Sequence, residues 1–466
     1  MKGSGKRRRL QWWMLAPGLA CLYSLGIVAF IYKQEFTIDH KAGWVDSERR
    51  KLQPVDLPEP HPNAFGTYAE VARLLQKAGV DSDLLSDWSA AVMKGDATTA
   101  HALEADARRA LELARPALER MHEAAGEDYL SRSGTDLAEL YPWLPAARSA
   151  ARAASAEALR RHLDGDDAGA LREVEDVLAL GVALPRGGEE IQLMGGVTVI
   201  RIGGPWGRYV LADTTASSAE LRRHAETVRA LRARMPAPSQ AVIASGQGLA
   251  RAVLSSRDIS LRQASATARA LEAESGEPVD SLHLWATTRN SLDKSVEWIE
   301  DRYARLAEAA DAPFGDTWWD ELVARTPADA RVRRDFWARM AASVPLHSRD
   351  VWLRAQGELI AEETIACVAA YGAEQGRHPN SLGDLVPEYM PERPPDPWTG
   401  DTMLYRLTHD GFTLYAVGAN GVDDGGVCDP KDAARVDQVF VPIPALPPAK
   451  ESTESGAPSP SGRGSG

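Results

Sequence analysis

The sequence predicts a mainly α-helical protein with one N-terminal transmembrane helix, a large helical-bundle body and a small α+β module near the C-terminus. Three observations lead to this prediction. An uncharged apolar run occupies residues 10–32, apolar residues recur at helical spacing from residue 64 to about residue 350, and clear strand-like alternation begins only after residue 400. The chain has 466 residues, of which 44% are hydrophobic, so it is long enough to bury a sizeable core.

The apolar run of residues 10–32 predicts a transmembrane helix. Its 23 residues lie between Arg9 and Lys33. At about 1.5 Å per residue they span roughly 34 Å, more than the roughly 30 Å of a hydrocarbon core. Aromatic residues mark both ends of the run: Trp12, Trp13 and Tyr32. A cleaved signal peptide is the alternative, but its apolar stretch is normally shorter and ends in small residues.

The basic leader, residues 1–9, sets the expected topology. Five of its residues are Lys or Arg, and such a positive flank stays in the cytoplasm. We therefore expect a single pass through the cytoplasmic (inner) membrane of a bacterium, with the N-terminus in the cytoplasm and the bulk extracytoplasmic. The net charge of −13 leaves −18 on the rest of the chain. An acidic body argues against nucleic acid as a partner, because phosphate binding needs clustered Lys and Arg.

Two of the three cysteines fall in the exported part. Cys21 lies within the predicted membrane helix, which leaves Cys367 and Cys428 outside it. Two thiols in an oxidising compartment can form a disulfide. The alternative is two unrelated cysteines, one on a helix and one in a loop.

Residues 33–62 predict a spacer, and residues 63–348 predict a helical domain. Repeated prolines near the end of the spacer favour an extended, semi-rigid chain. Asn63 then suits the N-cap of the first helix of the body. Ser217 with Glu220 has the spacing of a capping box and predicts the start of another helix.

Two Gly-Asp pairs predict corners between antiparallel helices. Gly95-Asp96 and Gly165-Asp166 are each followed by Ala and Leu, a pattern that resembles the corner of tetratricopeptide-type units. Arrays of such units need at least about three neighbouring repeats to bury their faces. A helical bundle is therefore the main expectation, and a helical-repeat protein that binds a peptide is the alternative.

No catalytic or nucleotide-binding pattern is found along the body. Gly195-Gly196 and Gly203-Gly204 lack the spacing of a phosphate-binding loop, and we expect them to allow close helix packing. Ser291 and Lys294 match Ser-x-x-Lys, but the chain has no Lys-Thr-Gly partner. The histidines show no zinc-binding spacing. We expect no enzyme; an envelope hydrolase with an unrecognised site is the alternative, which a groove of titratable residues with shifted pKa would favour.

Residues 349–441 predict a compact α+β module. A long helix is expected from Arg349 to Gly376, followed by a short helical turn that ends at Leu385 and by a proline-rich extended passage. Asp410-Gly411 predicts a tight turn between two strands. The expected strands are residues 403–407, 412–417 and 435–441. Residues 442–466, rich in Pro, Ser and Gly, predict a disordered tail.

The order of these elements resembles the C-terminal region of the major pseudopilins of the type II secretion system. The motif Asp396-Pro397-Trp398 before the hairpin and the Asp/Gly-rich stretch of residues 418–426 after it carry the resemblance, which covers about a fifth of the chain. The start of the chain has neither a Gly-Phe cleavage site nor a Glu five residues into its apolar segment. We therefore expect a pseudopilin-like head on a permanently anchored body.

The resemblance implies a calcium site in the Asp/Gly-rich loop, because that loop binds calcium in the family through carboxylates and backbone carbonyls. The implied Ca2+ ligands are Val417 through its carbonyl, Asn420, Asp423, Asp424 and Asp429. Calcium accepts about six to eight oxygen ligands in flexible geometry. The alternative is a solvated turn whose side chains satisfy its own backbone.

These features together indicate a membrane-anchored, extracytoplasmic interaction or scaffold protein. We expect a protein partner in the bacterial envelope and a link to secretion or envelope assembly.

Overall fold

The computed structural model describes residues 57–131, 143–255, 281–311, 348–409, 411–427 and 437–441, together with Ser265 and Arg269. This part of the chain is mainly helical and contains one small three-stranded antiparallel sheet, which confirms the predicted fold class at that level. The predicted leader, transmembrane helix and tail lie outside the described residues, as do residues 33–56 of the spacer. Among the helices that are described, none combines the length and the apolar character needed to cross a membrane.

The described helices and strands follow one another as here. The helices are α1 (Ala64–Ala78), α2 (Ser82–Met93), α3 (Ala97–Ala125), α4 (Trp143–Leu163), α5 (Asp167–Ala183), α6 (Glu190–Ala212), α7 (Ser218–Arg234), α8 (Pro238–Ser255), α9 (Ser281–Ala310) and α10 (Ser348–Gln375). A short 3-10 helix, Leu382–Leu385, follows α10. The strands are β1 (Leu404–Thr408), β2 (Gly411–Ala416) and β3 (Gln438–Val441). From α10 onward, each element overlaps the one that the sequence predicts.

Helix α4 lies at the centre of the body, where it contacts α1, α2, α3, α5 and α6. Small alanine side chains are buried around the helix: Ala147, Ala150, Ala151, Ala153, Ala154, Ala156 and Ala158. Alanine has the highest helix propensity and adds little bulk, so the neighbouring helices approach α4 closely on several sides. The other body helices are arranged around this axis, and α8 packs on α9 and touches α6 and α10.

Three corners between body helices are built alike. In each, a glycine with positive φ is followed by an aspartate that caps the next helix: Gly79 and Asp81, Gly95 and Asp96, Gly165 and Asp166. The amide of Asp96 donates to the carbonyl of Ala91 at 2.9 Å, and the amide of Asp166 donates to that of Arg161 at 2.8 Å. Both predicted corners are confirmed. The corner at Gly79 was not predicted.

Helices α5 and α6 pack at close range because glycines stand at their contact. A Cβ on Gly181 would lie 2.5 Å from Cγ1 of Ile200, and one on Gly203 would lie 2.6 Å from Cγ1 of Val177. Real Cβ atoms do not tolerate such distances, since protein interiors are close-packed. The structure therefore confirms that glycines of this segment serve helix packing.

The sheet has the order β1-β2-β3 and lies against α10. Thr408 pairs with Gly411 across the tight turn, and the φ angle of 144° at Gly411 needs a glycine. Trp398, Leu414 and Phe440 are buried beneath the sheet and belong to the same hydrophobic core as the body helices. The body and the C-terminal module thus share one core, with α10 between them.

Candidate functional site

The Asp/Gly-rich loop after β2 is a series of tight turns held by its own side chains. Oδ1 of Asp423 accepts hydrogen bonds from the amide of Gly425 at 2.9 Å and from the hydroxyl of Tyr415 at 3.1 Å. Nδ2 of Asn420 donates to Oδ2 of Asp424 at 2.9 Å. These bonds give the loop one defined shape, with its carboxylates close together.

The residues predicted as calcium ligands lie within this loop, except Asp429, which lies outside the described residues. Oδ1 of Asn420 accepts from the amide of Val422 at 3.2 Å. Asp423 and Asp424 each use one carboxylate oxygen in the bonds above. Within the described ranges, no group of three or more His, Cys, Asp or Glu side chains is arranged to hold a metal ion. The calcium site therefore stays a prediction, with hard oxygen donors of the type that calcium prefers.

Asp437, at the start of β3, supports the loop from behind. Its side chain is buried and accepts from the amide of Asp424 at 3.2 Å and from that of Gly426 at 2.7 Å. Burial raises the pKa of its carboxyl, and the charges of Asp423 and Asp424 act in the same direction. The sequence analysis missed Asp437. The signal that would have found it is a carboxylate at the point where the chain returns to the sheet.

Asp396 connects the Asp-Pro-Trp turn to the end of β2. Its buried carboxylate accepts from the amide of Trp398 at 2.7 Å and from the amide of Val417 at 2.8 Å. Buried carboxylates with backbone donors of this kind fix the chain that carries the donors. Asp396 thus sets the position from which the Asp/Gly-rich loop begins.

Cys367 on α10 is a buried free thiol. Its Sγ donates to the carbonyl of Tyr389 at 3.3 Å, and burial raises the pKa of the thiol to about 12. Cys428 lies outside the described residues, so the two cysteines cannot be compared in the structure. A neutral, enclosed thiol has little nucleophilic character.

A groove with a volume of about 690 Å3 runs between α3, α4 and α5, and we call it the α3–α5 groove. Its buried lining residues include Leu111, Leu118 and Glu157, and its exposed ones include Glu119 and Arg172. The side chains that line it include no Ser, Thr or Cys. The groove is therefore a mixed apolar and charged site without a side-chain nucleophile of those types.

Glu173 of α5 is the most perturbed carboxyl of this groove. Its side chain is 13% exposed, and its Oε1 lies 3.2 Å from Nε of Arg161. Burial raises the pKa of Glu173 to about 8, and the charge of nearby Asp176 adds to the effect. At neutral pH this carboxyl is therefore mostly protonated.

His122 and Asp176 form a pair beside Glu173. Nδ1 of His122 lies 3.0 Å from Oδ2 of Asp176; the imidazole is 63% exposed, whereas the carboxylate is 7% exposed. Burial raises the pKa of Asp176 to about 6, against the lowering effect of His122. A buried carboxylate that holds an exposed imidazole fixes the ring and its tautomer.

The arginines at the groove are shared among a larger number of carboxylates. Nη1 of Arg161 bonds Asp166 at 2.8 Å, while its Nε lies 3.2 Å from both Glu157 and Glu173. Arg160 bonds Glu157 and Asp164, and Arg108 bonds Asp164 and Glu104. Three guanidinium groups thus serve five carboxylates: Glu104, Glu157, Asp164, Asp166 and Glu173. This side of the groove is short of positive charge.

A second set of charged groups lies between α10 and the body, and we call it the α10 charge network. It consists of three glutamates of α10 and their partners on α6 and α7. The pairs are Glu358 with Arg208 at 2.6 Å, Glu362 with His224 at 3.2 Å, and Glu363 with Arg229 at 2.7 Å. Buried pairs of this kind fix one arrangement of the helices, because any other would leave a charge unpaired.

His224 is the most enclosed member of the network, with a fully buried side chain. Its Nδ1 lies 2.8 Å from Oε1 of Glu175 on α5, and its Nε2 lies 3.2 Å from Oε1 of Glu362. Burial lowers the pKa of the imidazole, but the hydrogen bonds and charges of the two carboxylates outweigh it and raise the pKa to about 9. His224 is therefore a buried cation that joins α5, α7 and α10.

Comparison of the chain with models of protein families, with curated proteins and with solved structures found no match. Its function is therefore inferred from its own residues and geometry.

Proposed function

We propose that this protein is a membrane-anchored, extracytoplasmic scaffold of a bacterial envelope whose pseudopilin-like head presents a calcium-stiffened recognition surface to a protein partner. The observation that carries the proposal is α10, which packs against α6 and α7 of the body and against β2 and β3 of the head. A head attached through a shared helix has a fixed orientation on the body, as a scaffold requires.

The order of elements in the head supports the proposal. A long helix, a 3-10 turn, the Asp-Pro-Trp turn, a hairpin, the Asp/Gly-rich loop and a last strand follow in the order that the resemblance to pseudopilins implies. The anchor and the cellular location come from the sequence of residues 1–32 alone. Protease added to intact spheroplasts tests them, since the body should be cut while a cytoplasmic control protein stays intact. A body that resists cleavage contradicts the proposed topology.

The loop of the head offers features that a recognition surface needs. Val422 and Val427 are 54% and 53% exposed, and they stand beside the carboxylates of Asp423 and Asp424. Covering apolar side chains with a partner is favourable, and it is most favourable when the loop needs no ordering on binding. A cation bridging the carboxylates would hold the loop in one shape.

Calcium binding is tested on the full chain in a mild detergent by thermal unfolding. A ligand that binds only the folded state adds about 2.7 kcal/mol at a concentration of about 100 times Kd, so the melting temperature should rise with calcium and return with chelator. The variant Asp423→Asn with Asp424→Asn should lose the response, and magnesium is the matched metal control. An unchanged melting curve at millimolar calcium contradicts the calcium part of the proposal.

A second candidate function is supported by the body. Its three equivalent helical corners and the α3–α5 groove favour a helical binding module that takes a peptide segment. The shifted pKa values of Glu173 and Asp176 also suit proton transfer, as a hydrolase would need. A panel of ester and peptide substrates separates these functions, because Glu173→Gln would abolish turnover in a hydrolase and leave no turnover to lose in a binding module.

A further inference from the structure

We infer that the α3–α5 groove binds an ammonium group on an alkyl chain, as carried by a lysine side chain of a peptide or by a free alkyl diamine. This inference rests on the second function above, in which the body is a binding module, and it names the chemical class of the ligand. The two sources share one chemistry and are separated by the experiment below.

The first support is the shortage of positive charge at the groove. Arg161 is shared by Glu157, Asp166 and Glu173, and the neighbouring arginines are likewise shared. Arg172 adds one exposed cation to the lining, while Glu119 adds an anion on the opposite wall. A ligand that brings a positive charge relieves this imbalance, whereas an anionic ligand increases it.

The second support is the state of Glu173. Among the described residues, its only ion-pair contact is Nε of Arg161 at 3.2 Å, and that Nε makes no hydrogen bond with it. A mostly buried carboxyl with one poorly aligned, shared cation has unused acceptor capacity. An ammonium group, with three donors and no acceptor, is complementary to such a carboxylate.

The third support is the shape and the apolar part of the groove. Leu111 and Leu118 contribute its apolar lining, and an alkyl stem can lie along them while its charged end reaches the carboxylates. A volume of about 690 Å3 is within the range of small-ligand sites and exceeds the need of a single side chain. The groove thus accommodates a diamine or a lysine with its flanking peptide.

Binding of a cation competes with the proton on Glu173, whose pKa is about 8. Affinity should therefore rise about tenfold per pH unit up to about pH 8 and then level off. The titratable and charged groups that face Glu173 are His122 and Glu119 of α3, Glu157, Arg160 and Arg161 of α4, and Arg172 and Asp176 of α5. Protonation of His122 and Asp176 at lower pH weakens binding in the same direction.

The test is calorimetric titration of the full chain, in a mild detergent, at about pH 8. The probes are cadaverine, a short lysine-containing peptide, and the same peptide with norleucine in place of lysine. We expect cadaverine or the lysine peptide to bind and the norleucine peptide to bind at least about tenfold more weakly. Binding of cadaverine alone assigns the free amine as the source, and binding of the peptide assigns the lysine side chain.

Two variants locate the ligand. Glu173→Gln should weaken binding about tenfold or more and remove most of the pH dependence; because the native carboxyl is mostly neutral, this isosteric change should leave the melting temperature nearly unchanged. Glu119→Gln, on the exposed wall, should change affinity by less than about threefold. Equal binding of the norleucine peptide overturns the ligand class while leaving a peptide-binding body. Binding of no probe overturns both, and an unaffected Glu173→Gln overturns the site.

Discussion

Replacement of His224 by leucine is expected to destabilise the packing of α10 on the body. The imidazolium is fully buried between Glu175 and Glu362. Glu175 keeps an ion pair with Arg223 at 3.2 Å. Glu362 is fully buried, and its Oε2 has no hydrogen-bond partner. His224→Leu therefore leaves one buried carboxylate without its cation.

The magnitude follows in two ways. Removing one member of a buried ion pair costs about 3–5 kcal/mol, because the remaining charge is desolvated without compensation. The pKa of His224 is raised from 6.5 to about 9; at about 1.4 kcal/mol per pH unit this corresponds to about 3 kcal/mol. Both lines place the loss of unfolding free energy at about 3 kcal/mol.

The assay is denaturant unfolding of the full chain, followed by tryptophan fluorescence, for the wild type, His224→Leu, Glu362→Met and the double variant. The double variant should recover part of the loss, since an apolar pair replaces a broken ion pair, and the cycle yields the coupling energy. The sign of the pH dependence is also fixed. A folded pKa above the unfolded one gives stability that is complete below pH 6.5 and is lost as pH rises through about 9.

The difference between the wild type and His224→Leu should therefore shrink between neutral pH and pH of about 10. A His224→Leu variant within about 0.5 kcal/mol of the wild type, or a difference that does not change with pH, would refute the role assigned to this residue.

Gly181→Ala should lower the free energy of unfolding by about 1–3 kcal/mol, because its Cβ would overlap Ile200 and the α6 backbone. Gly66→Ala on α1 is the control: nothing lies within 4 Å of the added Cβ, so denaturant unfolding should show an unchanged or slightly raised stability. Asp166 caps α5 by accepting from the amide of Gly169 at 2.9 Å. Asp166→Ala should cost about 1 kcal/mol in the same assay, whereas Asp166→Asn should keep most of the cap; equal losses for the two would show that the ion pair with Arg161 matters more.

Local signals in the sequence were sufficient for several elements. The Gly-Asp corners, the capping box at Ser217 and the Asp-Gly hairpin depend on φ angles and on hydrogen bonds within a few residues. Such bonds are encoded where they are made, so the sequence predicts them without knowledge of the remaining chain. The corner at Gly79 was missed because one residue separates its glycine from the capping aspartate.

The α3–α5 groove and the α10 charge network could not be predicted in this way. Glu173 and His122 are 51 residues apart in the sequence, and His224 meets Glu362 over a separation of 138 residues. In sequence, each of these residues is one charged side chain on a helix, like many others on solvated faces. Their burial, and with it their shifted pKa, exists only once the helices pack.

The sequence by itself determined that this chain is mainly helical, where its corners and its terminal hairpin lie, and which of its residues are chemically able to bind a cation. Only the tertiary structure decided that α10 joins the head to the body, that Asp437 supports the loop, and that a groove with too few arginines opens between α3, α4 and α5. The physical reason is that propensity, capping and turn formation act over one helical turn, whereas desolvation and charge pairing depend on which distant side chains packing brings together.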